Sequence, residues 1–302
     1  MSQTSRAGRE RVVLASSQNL RVAISRWRRP LEWWRERRVF QDQLNAWRSA
    51  SGGSNDRYQK FLILTTARSG SNWLTAALNS HAQIACYGEV FHPEAIYGAL
   101  PRELRSSRIA LNWRDANPAR FLRNQVYGGK ADCLRACGFK IFYEHLERPV
   151  NRRLRDVLVR DAGIKVLSLT RQCLLASLVS HKRAQISREW IDIGRGELQS
   201  RDPKPLHLGV EECEAFFRRK TELRNRYLGA FSRHSILHLK YEDLARDFDQ
   251  ATAPIFAWLG VEAGEVKQRT KKQSAGSVAE SVSNYDEIQS HFRGTEFESF
   301  VD

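Results

Sequence analysis

Positions 65–73 read TTARSGSNW, between an apolar run and a stretch of helical pattern. Gly70 permits close approach of a ligand to the backbone. The N–H groups that open a helix, aligned with its dipole, make an anion cradle there. Ser69, Ser71 and Asn72 add side-chain donors, and Arg68 supplies a permanent charge whose fork matches phosphate or sulfate oxygens. This is not a nucleoside-triphosphatase loop. Such a loop needs G-K-[ST], and Gly129-Lys130 is followed by Ala131.

A loop of this kind works only if a strand delivers it and a helix receives it. The run at 60–66 (KFLILTT) reads as a buried strand and 72–80 as a helix. Residues 84–88, 137–143 (CGFKIFY), 164–170 (IKVLSLT) and 235–239 (SILHL) read as further strands. Asn117-Pro118 starts a helix that Gly128 can end, and 149–162 is a helix closed by Gly163. Residues 171–188, 210–233 and 247–259 are expected as helices, the last ending at Gly260. Residues 193–208 read as a polar loop, and the tail from 264 as polar and mostly irregular. Strand–helix alternation predicts an α/β fold with a central parallel sheet flanked by helices. Such a sheet binds its ligand at the carboxyl ends of the strands.

LILTTARSGSNWL resembles the phosphosulfate-binding loop of sulfotransferases that use 3′-phosphoadenosine 5′-phosphosulfate (PAPS). VLSLTRQCLLASLVSHKRA resembles their second donor element, a strand followed by Arg and then Ser, here Arg171 and Ser180. CGFKIFYEHL, LHLKYEDL followed by WLGV, and KKQSAGSVAESVSNYDEI are similar to the bacterial carbohydrate sulfotransferases of the Nod-factor and trehalose type. The resemblance covers roughly residues 58–302. It implies a P-loop-like sulfotransferase fold and transfer of a sulfuryl group from PAPS to a hydroxyl or amine of a carbohydrate or glycolipid, without a metal. Arg68 then stabilises charge on the leaving phosphate, and Ser69, Gly70, Ser71, Asn72 and Trp73 cradle the phosphosulfate. Arg171 and Ser180 grip the 3′-phosphate, with Ser177 as the alternative to Ser180. The resemblance implies Glu89, in CYGEVFHP, as the general base, and His145 as its competitor. His92 and His181 lie near these motifs and receive no role. Lys271 and Lys272 are candidates to close over the donor. Acceptor contacts are expected from 92–135 and 188–208. Two rival readings are a sulfotransferase-like nucleotide- or glycan-binding protein without turnover and a basic nucleic-acid-binding protein.

Composition bounds the rest. The chain has 302 residues, 41% hydrophobic and 10% aromatic, which suits a folded globular protein. No window approaches the ~20 consecutive apolar residues of a membrane span. Arg6, Arg9, Arg11, Arg21 and Arg26 interrupt any signal-peptide core, so a cytoplasmic location is expected. Five cysteines without a C-x-x-C pair read as free thiols, with neither disulfide nor metal. The net charge of +15 favours anionic partners. Residues 1–60 hold twelve Arg and one Lys against five acids, a net of +8. Residues 1–57, with Trp27, Trp33, Trp34 and Trp47, form a basic leader expected to touch an anionic membrane surface, with residues 58–302 as the catalytic domain. No RNA-recognition signature accompanies the charge, and no nucleic-acid partner is expected.

Overall fold

The computed structural model describes residues 37–45, 58–187, 204–264 and 277–302. Five strands form one parallel sheet in the order β2-β3-β1-β4-β5: β1 (Gln59–Thr65), β2 (Ile84–Glu89), β3 (Ala136–Phe142), β4 (Lys165–Thr170) and β5 (Ile236–Lys240). This is the expected α/β architecture. Phe61, Leu62, Ile63 and Leu64 are all fully buried, because β1 lies mid-sheet with both faces covered. Leu62 and Leu64 pack on one face with Phe91, Phe121 and Phe139. Phe61 and Ile63 pack on the other with Leu74, Leu78 and Phe256.

The helices that bear on function are α1 (Ser71–Leu78), α2 (Arg108–Ala116), α3 (Tyr143–Glu147), α4 (Arg152–Arg160), α5 (Leu174–Ser187), α6 (Val210–Ala230), α7 (Tyr241–Arg246), α8 (Phe248–Leu259) and α9 (Tyr285–Phe292). Most begin and end where the sequence signals them. Asn117 caps the short helix Pro118–Phe121 by accepting the Arg120 N–H at 3.2 Å, after which the chain continues as one π-helical turn. Asp247 caps α8 through the Gln250 N–H, and Gly260 closes it at φ 71.

Two expectations need correction. α5 begins at Leu174, three residues later than expected, because one Glu242 oxygen accepts the N–H of Gln172 at 2.9 Å and of Cys173 at 3.4 Å. That carboxylate holds Arg171 in the loop rather than on the helix. The tail is not irregular where it is described. Residues 278–281 and α9 are helical, and Val282, Ile288, Phe292, Phe297 and Val301 are buried in a satellite core with Leu175, Leu178 and Phe217. Its apolar residues stand at 278, 282, 285, 288 and 292, close to helical spacing inside a polar composition that hides them.

Residues 37–45 are helical, and Phe40 and Leu44 are buried in the main core, with Phe40 edge-on to Trp113. Trp27, Trp33, Trp34, Trp47, the polar loop at 193–203 and the Lys271–Lys272 pair lie outside the described residues. Among the described residues, no helix is long and apolar enough to cross a membrane. Cys86, Cys137, Cys173 and Cys213 are buried free thiols and Cys133 is exposed.

Candidate active site

The loops at the carboxyl ends of β1 and β4 meet first. Gly70 caps α1 at φ 80, and a Cβ there would stand 2.4 Å from the Tyr241 ring, so both conformation and space require glycine. Arg68 also adopts a left-handed backbone, φ 67, the lone non-glycine with positive φ among the described residues. Its Nε donates to Ser180 Oγ at 2.8 Å, and its carbonyl accepts from Arg171 Nη1 at 3.2 Å. Arg171 in turn lies over the Tyr241 ring, 4.6 Å from the centroid, with its Nε buried and unpartnered. Burial, and secondly the charge of Arg171, push the Arg68 guanidinium below its ordinary value. Two guanidinium groups held together this way raise each other's electrostatic free energy, and an anion between them relieves both.

The side chains of the cradle divide between roles. Ser69 is buried and faces inward: its hydroxyl donates to the Thr66 carbonyl and accepts from Thr65 Oγ1 at 2.7 Å. It braces the turn, which leaves backbone N–H groups as its contribution to any ligand. Ser71 opens α1 and is buried. The Trp73 indole packs on Phe248, 4.7 Å between ring centroids, and edge-on to Tyr241. Asn72 Oδ1 accepts a hydrogen bond from Lys140 Nζ.

Lys140 leads to the second half of the site. It sits on β3, only 1% exposed, and its ammonium also pairs with Glu89 Oε1 at 3.0 Å. Burial pushes Lys140 below its ordinary value, while the Glu89 carboxylate opposes that shift. A β-bulge makes the pairing possible. Tyr87 pairs with Phe139 and Glu89 with Lys140, so Gly88 is the extra residue. Were Gly88 paired regularly with Lys140, Glu89 would stand opposite Ile141 and its side chain would enter the other face of the sheet. His145 Nε2 lies 3.8 Å from Glu89 Oε2. Burial first, then the nearby His92 ring and the cations Arg148, Lys140 and Arg114, hold the His145 imidazole down at about 3. The ring is therefore neutral and the contact with Glu89 is not an ion pair.

No family model matches the chain. Among solved structures, a sulfotransferase from Alicyclobacillus acidocaldarius aligns at TM-score 0.45 and 18% identity, over 78% of this chain and 91% of that one. Mouse sulfotransferase SULT7A1 complexed with PAP aligns at TM-score 0.42 and 12% identity, over 83% and 89%. Nodulation protein H of Rhizobium tropici is 29% identical over 257 residues, spanning 81% of this chain and 93% of that protein. Nodulation protein H of Rhizobium meliloti (strain 1021) is 27% identical over 247 residues, spanning 81% and 95%. The chain is a homologue of Nodulation protein H.

In this homologue of Nodulation protein H, Arg68, Arg171 and Ser180 come together as one cluster, and Glu89 and His145 as another, with Asn72 between them through Lys140. Ser180 bonds Arg68, whereas the Ser177 hydroxyl is buried without a partner. Lys140 escaped sequence reasoning. Its signal was a single lysine inside an otherwise apolar strand, CGFKIFY, where a charge is tolerated only if paired. Arg114 escaped as well. It is fully buried, pairs with Asp115 at 2.7 Å, and donates from Nη1 to the carbonyls of Val90 at 3.1 Å and His92 at 2.8 Å. It thereby fixes the loop that follows Glu89.

Proposed function

We propose that this homologue of Nodulation protein H is a sulfotransferase that moves the sulfuryl group of PAPS to a hydroxyl of a carbohydrate or glycolipid acceptor, an amine being the other nucleophile of this class. The observation that carries the reading is the position of Lys140. One buried ammonium is hydrogen-bonded to Asn72 of the anion loop and ion-paired with Glu89. A donor lying in the loop and an acceptor lying against Glu89 would then face each other across it.

The acceptor oxygen attacks sulfur while the bond from sulfur to the 5′-phosphate oxygen breaks, and that electron pair leaves on the phosphate of the desulfated nucleotide, PAP. Arg68 and Lys140 stabilise the growing negative charge, and neither need donate a proton. Glu89 takes the acceptor's proton. His145, neutral and buried beside it, shields and orients the carboxylate. Arg171 and Ser180 hold the 3′-phosphate, whose charge offsets the repulsion that Arg171 exerts on the Arg68 guanidinium. Kinship with Nodulation protein H supports a carbohydrate-type acceptor.

A thermal-shift series tests the donor. PAP at saturating concentration is expected to raise the melting temperature by several degrees, and ATP with magnesium far less, because the loop lacks a triphosphatase lysine. No shift with PAP would refute the donor assignment.

A further inference from the structure

The loop after Glu89 holds a second imidazole that the reaction above does not use. His92 is fixed on three sides. Its N–H donates to the Glu89 carbonyl at 3.1 Å. Its own carbonyl accepts from the buried Arg114 at 2.8 Å. Its ring Nδ1 accepts the Glu94 N–H at 3.2 Å. The ring stands edge-on to His145, 5.8 Å between centroids, and edge-on to Tyr97 at 5.5 Å. It is half-buried, and burial holds it below its ordinary value, so it is neutral near pH 7. A neutral imidazole whose Nδ1 accepts a backbone N–H must carry its proton on Nε2. That N–H has no protein partner among the described residues.

We propose that His92 is an acceptor-binding residue: its Nε2–H donates to an oxygen of the acceptor, a hydroxyl or ring oxygen next to the one being sulfated. The inference rests on the proposed reaction, with Glu89 as the base. A polyhydroxylated substrate suits the arrangement. Glu89 takes the reacting hydroxyl's proton, and a fixed donor on the same loop reads the neighbouring oxygen. Arg148 stands near both imidazoles with a buried, unpartnered Nη1, so this side of the site offers donors in excess of acceptors. Because Arg114 ties the His92 carbonyl and Glu89 binds its N–H, the donor is already placed before the acceptor arrives.

The test compares His92→Phe, which keeps an aromatic ring and loses the donor, with His92→Gln, whose amide N–H stands where Nε2–H stood. Sulfate transfer from labelled PAPS is measured with chitotetraose, cellotetraose and trehalose, and PAP affinity is measured separately by calorimetry. His92→Phe is expected to raise the acceptor KM roughly 10-fold, the factor for one lost hydrogen bond, with PAP affinity within 2-fold of the unaltered protein. His92→Gln is expected to restore KM to within about 3-fold. An unchanged acceptor KM in His92→Phe overturns the inference, and so does a loss of PAP affinity equal to the loss in KM, which would mark a structural role. If the unaltered protein binds PAP yet sulfates none of the three sugars, the carbohydrate reading fails first and takes this inference with it.

Discussion

The two edges of the site handle charge in opposite ways. At the β1/β4 edge, burial and then the charge of Arg171 push the Arg68 guanidinium below its ordinary value, while Arg68 Nε donates to the Ser180 hydroxyl and Arg171 to the Arg68 carbonyl. At the β2/β3 edge, Lys140 meets Glu89 at 3.0 Å, and the nearby imidazoles are neutral. The first edge gathers like charges, and the second pairs its buried ammonium with a carboxylate. On the proposed reading, an anionic donor is drawn to the first edge by charge, while an uncharged acceptor is held at the second by hydrogen bonds, and the two do not compete for one place.

Breaking the acceptor edge should have the largest effect. Glu89→Gln keeps the shape and removes the base, so kcat is expected to fall about 10³-fold with PAP affinity retained. Steady-state transfer and calorimetry check both halves. Activity in Glu89→Gln together with its loss in His145→Ala would move the base to the histidine. Arg68→Ala comes next, with kcat down about 10²-fold through lost stabilisation of the leaving phosphate. Near-normal turnover in that variant would disconnect Arg68 from the chemistry. Arg171→Ala should act on binding instead: PAP affinity down about 10-fold or more and kcat at saturation little changed. An equal fall in both would mean that Arg171 acts by placing Arg68, whose carbonyl it holds.

The comparison also predicts a pH effect at the acceptor edge. The His145 ring takes a proton at its ordinary value of 6.5 when unfolded and only at about 3 when folded. Between those values the unfolded chain binds more protons, so the stability tied to a neutral His145 is full above 6.5 and is lost as pH falls toward 3. His145→Gln should therefore show a shallower fall in denaturant midpoint across that window. Parallel slopes in the two proteins would contradict a buried neutral ring.

The donor edge was the more legible of the two in the sequence. Its features are local: an apolar run, a glycine that must turn, an Arg at a fixed offset, and a second strand followed by Arg171. The acceptor edge depends on register. Lys140 and Glu89 are about fifty positions apart and meet because Gly88 is bulged out of the ladder instead of pairing with Lys140, which no periodicity announces. Arg114 looks like an ordinary helical arginine until its guanidinium is seen bonded to the Val90 and His92 carbonyls. The three central strands were legible within a residue or two because both faces are covered, which makes their apolar runs nearly continuous. The C-terminal helices were not, because they cover only a small satellite core and need few apolar residues to do it.

The smallest predicted effect concerns how an acceptor reaches its edge. If the leader holds the protein at an anionic membrane, a lipid-linked acceptor is supplied locally, and the catalytic geometry itself should not notice. Residues 1–36 carry eight Arg against three acids, with three Trp. Basic residues near an anionic leaflet contribute about 1 kcal/mol each, so several together give reversible, salt-sensitive attachment. The cut must respect the core. Phe40 and Leu44 are each 2% exposed and pack with the sheet's helices, and burying such side chains stabilises by about 1.5–3 kcal/mol each. A chain beginning at residue 37 should keep its melting temperature and its transfer to a soluble sugar, yet lose sedimentation with phosphatidylserine vesicles at low salt. A chain beginning at Asp56 should melt lower for a reason unrelated to membranes. Equal vesicle binding by the full chain and the chain from residue 37 would remove the leader from membrane attachment and leave acceptor delivery to diffusion.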